Sequence, residues 1–267
     1  MAMSAEKLSP LPGTRPEGAS DECEAAARVR EMFGRIAPRY DFLNHFLSLS
    51  LDRMWRRRAA RRLDHILRRR EARVLDICCG TGDLAFALEA QRNHSLAPGR
   101  GAPIVPISIV GGDFAVPMLE RARDKALAGG HATVFSAADA MQLPFADATF
   151  DLVATAFGFR NLANYEGGLR EMARVLKPGG EAAILEFTEP GAGPLAGIFR
   201  FYFRHILPLL GGAISGNREA YRYLPNSVAR FPSPPELAAR MKSAGFRDVR
   251  MVVWNFGSVV LHTAVRS

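Results

Sequence analysis

Four aspartates stand where short apolar runs give way to turns: Asp76 inside Val74-Leu75-Asp76-Ile77, Asp83 just past Cys78-Cys79-Gly80-Thr81-Gly82, Asp113 after the run 107–111, and Asp139 after 133–137. A glycine loop between a strand and a helix lets backbone approach a ligand closely. Gly80-x-Gly82-x-x-Ala85 alone would also suit a dinucleotide. The acids on its flanks argue against one. A pyrophosphate lies against the loop and the helix N-terminus, where N–H groups favour anions, and Asp76 and Asp83 bracket that position. Two like charges there would cost a phosphate several kcal/mol in a partly buried site. A ligand carrying an ammonium and a sulfonium would be attracted, and S-adenosyl-L-methionine (SAM) is such a ligand. Asp113 is placed to take both ribose hydroxyls, and Asp139 to reach the adenine amino group. Any one of these acids could be a simple cap or turn residue. Four along one sheet edge imply a site for a cationic nucleoside donor.

The elements that would hold these acids follow from hydrophobic period. Residues 1–25 are rich in Pro, Gly, Ser and Glu and read as a disordered leader. Val29, Met32, Phe33 and Ile36, then Leu51, Trp55, Ala59, Leu63 and Leu67, repeat at helical spacing, so residues 26–72 read as a helical cap on a single domain over 26–267. Pro38 and residues 41–44 separate its helices. Beyond Arg73, strands at 74–77, 107–111, 133–137, 151–156 and 181–186 alternate with helices at 84–91, 117–127 and 165–176, while 92–106 reads as a loop. Helices at 199–210 and 235–243 precede two strands, 249–254 and 259–265, joined as a hairpin through Asn255-Phe256-Gly257-Ser258. Alternation at this spacing predicts a Rossmann-like α/β fold, with a mostly parallel seven-stranded sheet and helices on both faces.

Composition sets outer limits. A chain of 267 residues suffices for one large α/β domain. Its three cysteines, Cys23, Cys78 and Cys79, form no disulfide framework and no metal spacing with the histidines, which favours a reducing cytoplasm. No apolar run reaches the roughly 18 residues of a membrane span; the stretch 198–214 is broken by Arg200, Arg204, His205 and Pro208. The start of the chain lacks the layout of a signal peptide. The formal charge of +8 is concentrated: from Asp52 to Arg73 ten arginines face three acids. A solvated helix face, an anionic membrane surface at the inner face of the bilayer, and a nucleic acid are all compatible with that run.

With these residues in place, the chain resembles the class I SAM-dependent methyltransferases, and among them the menaquinone/ubiquinone biosynthesis C-methyltransferases. The resemblance runs from about Val29 onward. Its most specific pieces are Phe33-Gly34-Arg35-Ile36-Ala37-Pro38-Arg39-Tyr40-Asp41-Phe42-Leu43-Asn44, the segment 51–57, Phe157-Gly158-Phe159-Arg160-Asn161, Arg174-Val175-Leu176-Lys177-Pro178-Gly179-Gly180, Leu185-Glu186-Phe187 and Tyr221-Arg222-Tyr223-Leu224. Ala156 stands where many relatives carry a serine, so no hydroxyl contact is expected there.

The resemblance implies methylation of a ring carbon on a polyprenylated quinol, either demethylmenaquinol or a methoxy-polyprenyl benzoquinol, with a slight lean to the former from the paired cysteines. Donor contacts would come from Asp76, Gly80, Thr81, Gly82, Asp113, Asp139 and Ala140. Arg160 follows the fourth strand and would stabilise the phenolate, unless it pairs with Asp151 or Glu186 for structure alone. Asn161 would hold Arg160 or bind a quinol oxygen, and Tyr40, Asp41 and Asn44 would close over the ring. The aromatic stretch 199–210 would line a prenyl entrance or pack as core. Peripheral contact with anionic lipid is expected, no metal is expected, and the oligomeric state stays open, with a homodimer one option. Three rivals weaken on inspection. A nucleic-acid methyltransferase would want an Asp/Asn-Pro-Pro-aromatic motif where Ala156-Phe157-Gly158-Phe159 stands. A non-catalytic SAM-fold binding protein would not need the full acid series, and a dehydrogenase fails on charge.

Overall fold

Val74 and Leu75 are both fully buried yet belong to different cores, because successive strand residues face opposite sides of a sheet. That is the mark of a strand covered on both faces. The computed structural model describes residues 13–16, 18–41, 48, 50–96, 108–189, 197 and 218–267. Its elements are α1 (Glu22–Ile36), α2 (Leu51–Arg62), α3 (Asp64–Leu67), β1 (Arg73–Ile77), α4 (Asp83–Ser95), β2 (Ser108–Asp113), α5 (Val116–Gly129), β3 (Val134–Ala137), β4 (Phe150–Ala156), α6 (Tyr165–Val175), β5 (Leu176–Phe187), α7 (Arg218–Arg230), α8 (Pro234–Ser243), β6 (Phe246–Trp254) and β7 (Val259–Arg266).

The seven strands form one sheet in the order β3-β2-β1-β4-β5-β7-β6. β1 to β5 run parallel, and β7 pairs antiparallel with both β5 and β6. The order reverses direction at β1 and β4, so a crevice opens beyond their C-terminal ends, where ligands of open α/β sheets bind. On one face Leu75, Ile77 and Ile184 pack with Leu169 and Met172 of α6 and Leu237 and Met241 of α8. On the other, Val74, Leu152 and Leu185 pack with Trp55, Ala59 and Leu63 of the cap and Leu84 and Leu88 of α4. The expected sheet, its hairpin and the cap helices are thus present.

Several expectations need correction. Helix α1 begins inside the span read as a leader, with the Asp21 carboxylate accepting from Glu24 N at 2.8 Å. Ahead of it Thr14 is buried, its N–H donating to Leu162 O at 2.8 Å and its hydroxyl 2.9 Å from the Tyr223 hydroxyl. Polar pairing rather than apolar burial fixes this segment, and composition does not register it. Residues 92–95 are helical, not loop: Arg92 reaches back to the carbonyls of Leu67 and Arg69 at 2.8 Å and of Arg70 at 2.9 Å, ending the cap. Strand β5 starts at Leu176, through the Lys-Pro-Gly-Gly turn residues, with an irregular register against Phe150 and Leu152. Helix α7 was unexpected because Pro225 lies inside it. The expected helix at 199–210, the aromatic entrance and most of the 92–106 loop fall outside the described residues. Among the described residues, no helix is long and apolar enough to cross a membrane, and no three metal-binding side chains come together.

Candidate active site

The C-terminal ends of β1, β2 and β4 surround a cleft at the switch point of the sheet, where open α/β sheets bind their ligands. Its walls include Tyr40, Asp76, Gly80, Thr81, Asp113, Asp139, Ala140 and Asn161, eight of the twelve residues singled out in the sequence. Gly82, in the same loop, is not part of the wall. Its φ of 87° lies in the left-handed region, and a Cβ there would come within 2.9 Å of the Phe86 and Phe135 rings.

The acids hold the loop as well as face the cleft. Asp113 Oδ2 accepts from Gly80 N at 2.9 Å and Oδ1 from Ala115 N at 2.8 Å, while burial pushes its pKa upward. Asp139 Oδ1 accepts from Met141 N at 2.9 Å. Asp76 is fully buried and accepts from Ala85 N at 3.0 Å through Oδ2. Burial drives its pKa well above the carboxylate range, against the Ala85 N–H and Arg56, and nearby Asp113 and Asp83 push the same way. Its other oxygen, Oδ1, has no partner among the described residues although Asp76 lines the cleft. A buried acceptor left open costs about 1–3 kcal/mol until something donates to it. The ammonium of SAM fits that place, and the two acids after β2 and β3 fit its ribose and adenine.

Asp83 does not act as the free flanking charge expected of it. Lys125 of α5, which the sequence gave no reason to single out, lies 2.6 Å from Asp83 Oδ1, 2.9 Å from Asp41 Oδ2 and 3.1 Å from Thr81 Oγ1. Thr81 donates to Asp41 Oδ1 at 2.5 Å. One ammonium thus ties the cap, the glycine loop and α4 together. Tyr40, the residue before Asp41, enters the cleft edge-on to Phe33 with ring centroids 6.0 Å apart. Asn44 lies outside the described residues.

Arg160 also stands elsewhere than expected. It is 6 % exposed and does not line the cleft. Glu186 Oε1 accepts from its backbone N–H at 3.0 Å, and Oε2 takes its Nη1 at 3.0 Å, with Phe157 O a further acceptor. A carboxylate at the end of the neighbouring strand outcompetes an open cleft for a buried guanidinium. Asn161, one residue on, does face the cleft, and its Oδ1 accepts from the Tyr223 hydroxyl at 3.1 Å. Burial pushes Tyr223 up to about 12, so it stays a donor at neutral pH. The cation that does line the cleft is Arg56, one of the arginines of the charged run. Its signal was present in the sequence: it shares the buried helical face of Asp52, Trp55, Ala59 and Ala60.

Residues 22–266 match the ubiE/COQ5 methyltransferase family. The chain belongs to that family. It is 49% identical over 235 residues to the demethylmenaquinone methyltransferase of Thermus thermophilus, covering 88% of this chain and 100% of the relative. It is 44% identical over 242 residues to the ubiquinone/menaquinone biosynthesis C-methyltransferase UbiE of Geobacter sulfurreducens, covering 90% and 89%. Among solved structures, a SAM-dependent methyltransferase of Thermotoga maritima superposes with a TM-score of 0.58 at 20% identity, over 89% of this chain and 99% of that one, which shows a shared fold. As a ubiE/COQ5 methyltransferase the protein is a SAM-dependent C-methyltransferase.

Proposed function

We propose that this protein methylates a ring carbon of a polyprenylated quinol, converting demethylmenaquinol to menaquinol. The 49% identity to the Thermus enzyme supports the naphthoquinol. The name of the Geobacter relative keeps the equivalent methylation of a 2-methoxy-6-polyprenyl-1,4-benzoquinol as the second reading. The observation that carries the proposal is the cleft itself, whose wall brings together Asp76, Asp113 and Asp139 for the donor and Tyr40, Phe157 and Asn161 for an aromatic ring.

Bound SAM supplies an already activated methyl group, so this chain's residues have three tasks: alignment, exclusion of water and ionisation of the quinol hydroxyl. Asp76, Asp113 and Asp139 hold the donor, with the Gly80 and Thr81 backbone close against it. Tyr40 and Asp41 close the cap over the ring, fixed by Thr81 and Lys125. Asn161 binds a quinol oxygen. Arg160 is a positioning residue, its ion pair with Glu186 setting the turn that presents Asn161. Because the acceptor dissolves in bilayers, the exposed arginines of α2, Arg53, Arg57, Arg58, Arg61 and Arg62, serve as a peripheral contact with anionic lipid at the cytoplasmic face. Flotation with anionic vesicles at low salt tests that contact, and no binding removes it.

The deciding experiment is product analysis by mass spectrometry with SAM and each reduced quinol. A methylated naphthoquinol confirms the first reading and a methylated benzoquinol the second. No product from either, with SAM binding intact, refutes both.

A further inference from the structure

A hydroquinone ring is a good carbon nucleophile only when a hydroxyl has lost its proton. The oxyanion then needs a positive charge within reach, in a place from which water is shut out. Two buried arginines stand near the cleft, and their surroundings separate them. Arg160 Nη1 is taken by Glu186 and by Phe157 O and its Nε is buried without a partner among the described residues, but the residue is not part of the cleft wall. Arg56 is 7 % exposed and is part of that wall, beside Tyr40 and Asp76.

The geometry of Arg56 leaves it donors to spend on a ligand. Both carboxylates that reach it meet the same nitrogen: Asp52 Oδ2 lies 2.5 Å and Asp83 Oδ2 3.9 Å from Nη1. A guanidinium carries five N–H groups, and among the described residues Nε and Nη2 have no hydrogen-bond partner. The group is held in place by its i, i+4 pair with Asp52 and by the Phe157 ring, 5.2 Å from Cζ to the centroid. It is therefore pre-oriented and not a mobile side chain. Burial works against its charge, yet Asp83 and Asp52 outweigh that and keep it firmly protonated.

We infer that Arg56 is a catalytic residue, the cation whose free N–H groups meet the ring oxyanion of the acceptor. This rests on the quinol reading above. The hydroxyl proton leaves to solvent and the oxyanion pairs with Arg56. The oxygen's electron pair moves into the ring as the ring carbon bonds to the methyl carbon. The carbon–sulfur bond breaks with its pair going to sulfur, which becomes a neutral thioether, and the ring proton at that carbon is released to water as aromaticity returns. Arg56 lowers the cost of the first and second steps and takes no proton itself.

The test separates this role from a structural one. The probe is a soluble hydroxynaphthoquinone without a prenyl tail, whose ionised form absorbs at longer wavelength, bound to protein saturated with S-adenosylhomocysteine. In the wild type, the ionisation of the bound probe moves to lower pH. Arg56→Gln loses that displacement, and Arg56→Lys, which keeps a point charge without the fork, retains part of it. In turnover with the reduced quinol, Arg56→Gln loses about 10²–10³-fold in kcat, the cost of one oxyanion donor. The acid limb of its pH profile moves upward, while its SAM affinity stays within about threefold. An unshifted probe in the wild type overturns the inference. So does a full shift in Arg56→Gln, or a kcat loss that only tracks weaker SAM binding. If Arg56→Gln does not fold, Arg56→Lys decides, because absence of any shift with SAM bound normally also overturns it. Failure of the wild type to methylate either quinol would instead sink the functional reading, since the probe measures ionisation without turnover.

Discussion

Replacing Lys125 by methionine removes the ammonium that bridges Asp41 and Asp83 and keeps most of the side chain's length and apolar stem, leaving Arg56 3.9 Å from Asp83 Oδ2. Lys125 lies 2.9 Å from one carboxylate and 2.6 Å from the other, so these two carboxylates stay close neighbours once it is gone. Carboxylates roughly 5 Å apart repel by about 1–3 kcal/mol as the effective dielectric falls from 80 to 20. Side-chain exposures of 32, 30 and 21 % for Lys125, Asp41 and Asp83 place the site between those limits. The repulsion acts on cap closure, because Asp41 belongs to the cap and Asp83 opens α4. If donor retention needs the closed cap, Lys125→Met weakens SAM binding by about 5- to 150-fold. Calorimetric titration with SAM measures this, with hydrogen exchange over residues 33–41 as a readout of the cap. The deficit shrinks in high salt, which screens part-exposed charges, and Asp41→Asn added to Lys125→Met recovers part of it, since the repelling partner is then neutral. Unchanged SAM affinity together with unchanged cap exchange in Lys125→Met would refute the reasoning.

Breaking the Arg160–Glu186 pair by Glu186→Ala should cost about 3–5 kcal/mol, as expected when a buried charge loses its partner, read as a fall in thermal midpoint. Arg160→Met with Glu186→Leu should recover much of that stability without recovering turnover, if the pair positions Asn161. In Gly158→Ala the new Cβ would stand 2.5 Å from Cys78 Cβ and 3.0 Å from Cys78 O, a clash with backbone that should cost about 1–3 kcal/mol in a denaturant titration. Burial raises the folded pKa of both Asp76 and Asp113, so the native state binds more protons than the unfolded chain above about pH 4. Stability of the donor-free protein therefore falls as pH rises through that interval, while affinity for the cationic donor rises. Asp76→Asn should flatten both trends in thermal scans and titrations.

The sheet was legible because β/α alternation and the glycine loop are local patterns, and the acids because each lies in the last residues of a strand or just past its end. The cap helices were legible from helical spacing of Val29, Phe33, Trp55 and Ala59. What the sequence hid was pairing over distance. Glu186 and Arg160 were seen as candidates for a pair, but only the β4–β5 register decides that Glu186 meets Arg160 and turns it from the cleft. Lys125 carries no local signal, since its partners lie 84 and 42 residues away. Arg56 was submerged in a run of exposed arginines, although its helical face is apolar. Helix α7 was missed because proline inside a helix reads as a break.

The two thiols of the donor loop have a bearing on what the protein can safely hold. Quinones are electrophiles that become covalently attached to thiolates, and only the thiolate reacts. Burial, reinforced by the Asp113 and Asp76 charges, pushes the pKa of both Cys78 and Cys79 far upward, so both sulfurs stay protonated. Cys78 nevertheless forms part of the cleft wall. The carboxylates proposed to hold the sulfonium donor thus protect the loop from arylation, and an oxidised acceptor straying into the chamber meets sulfur in its inert form.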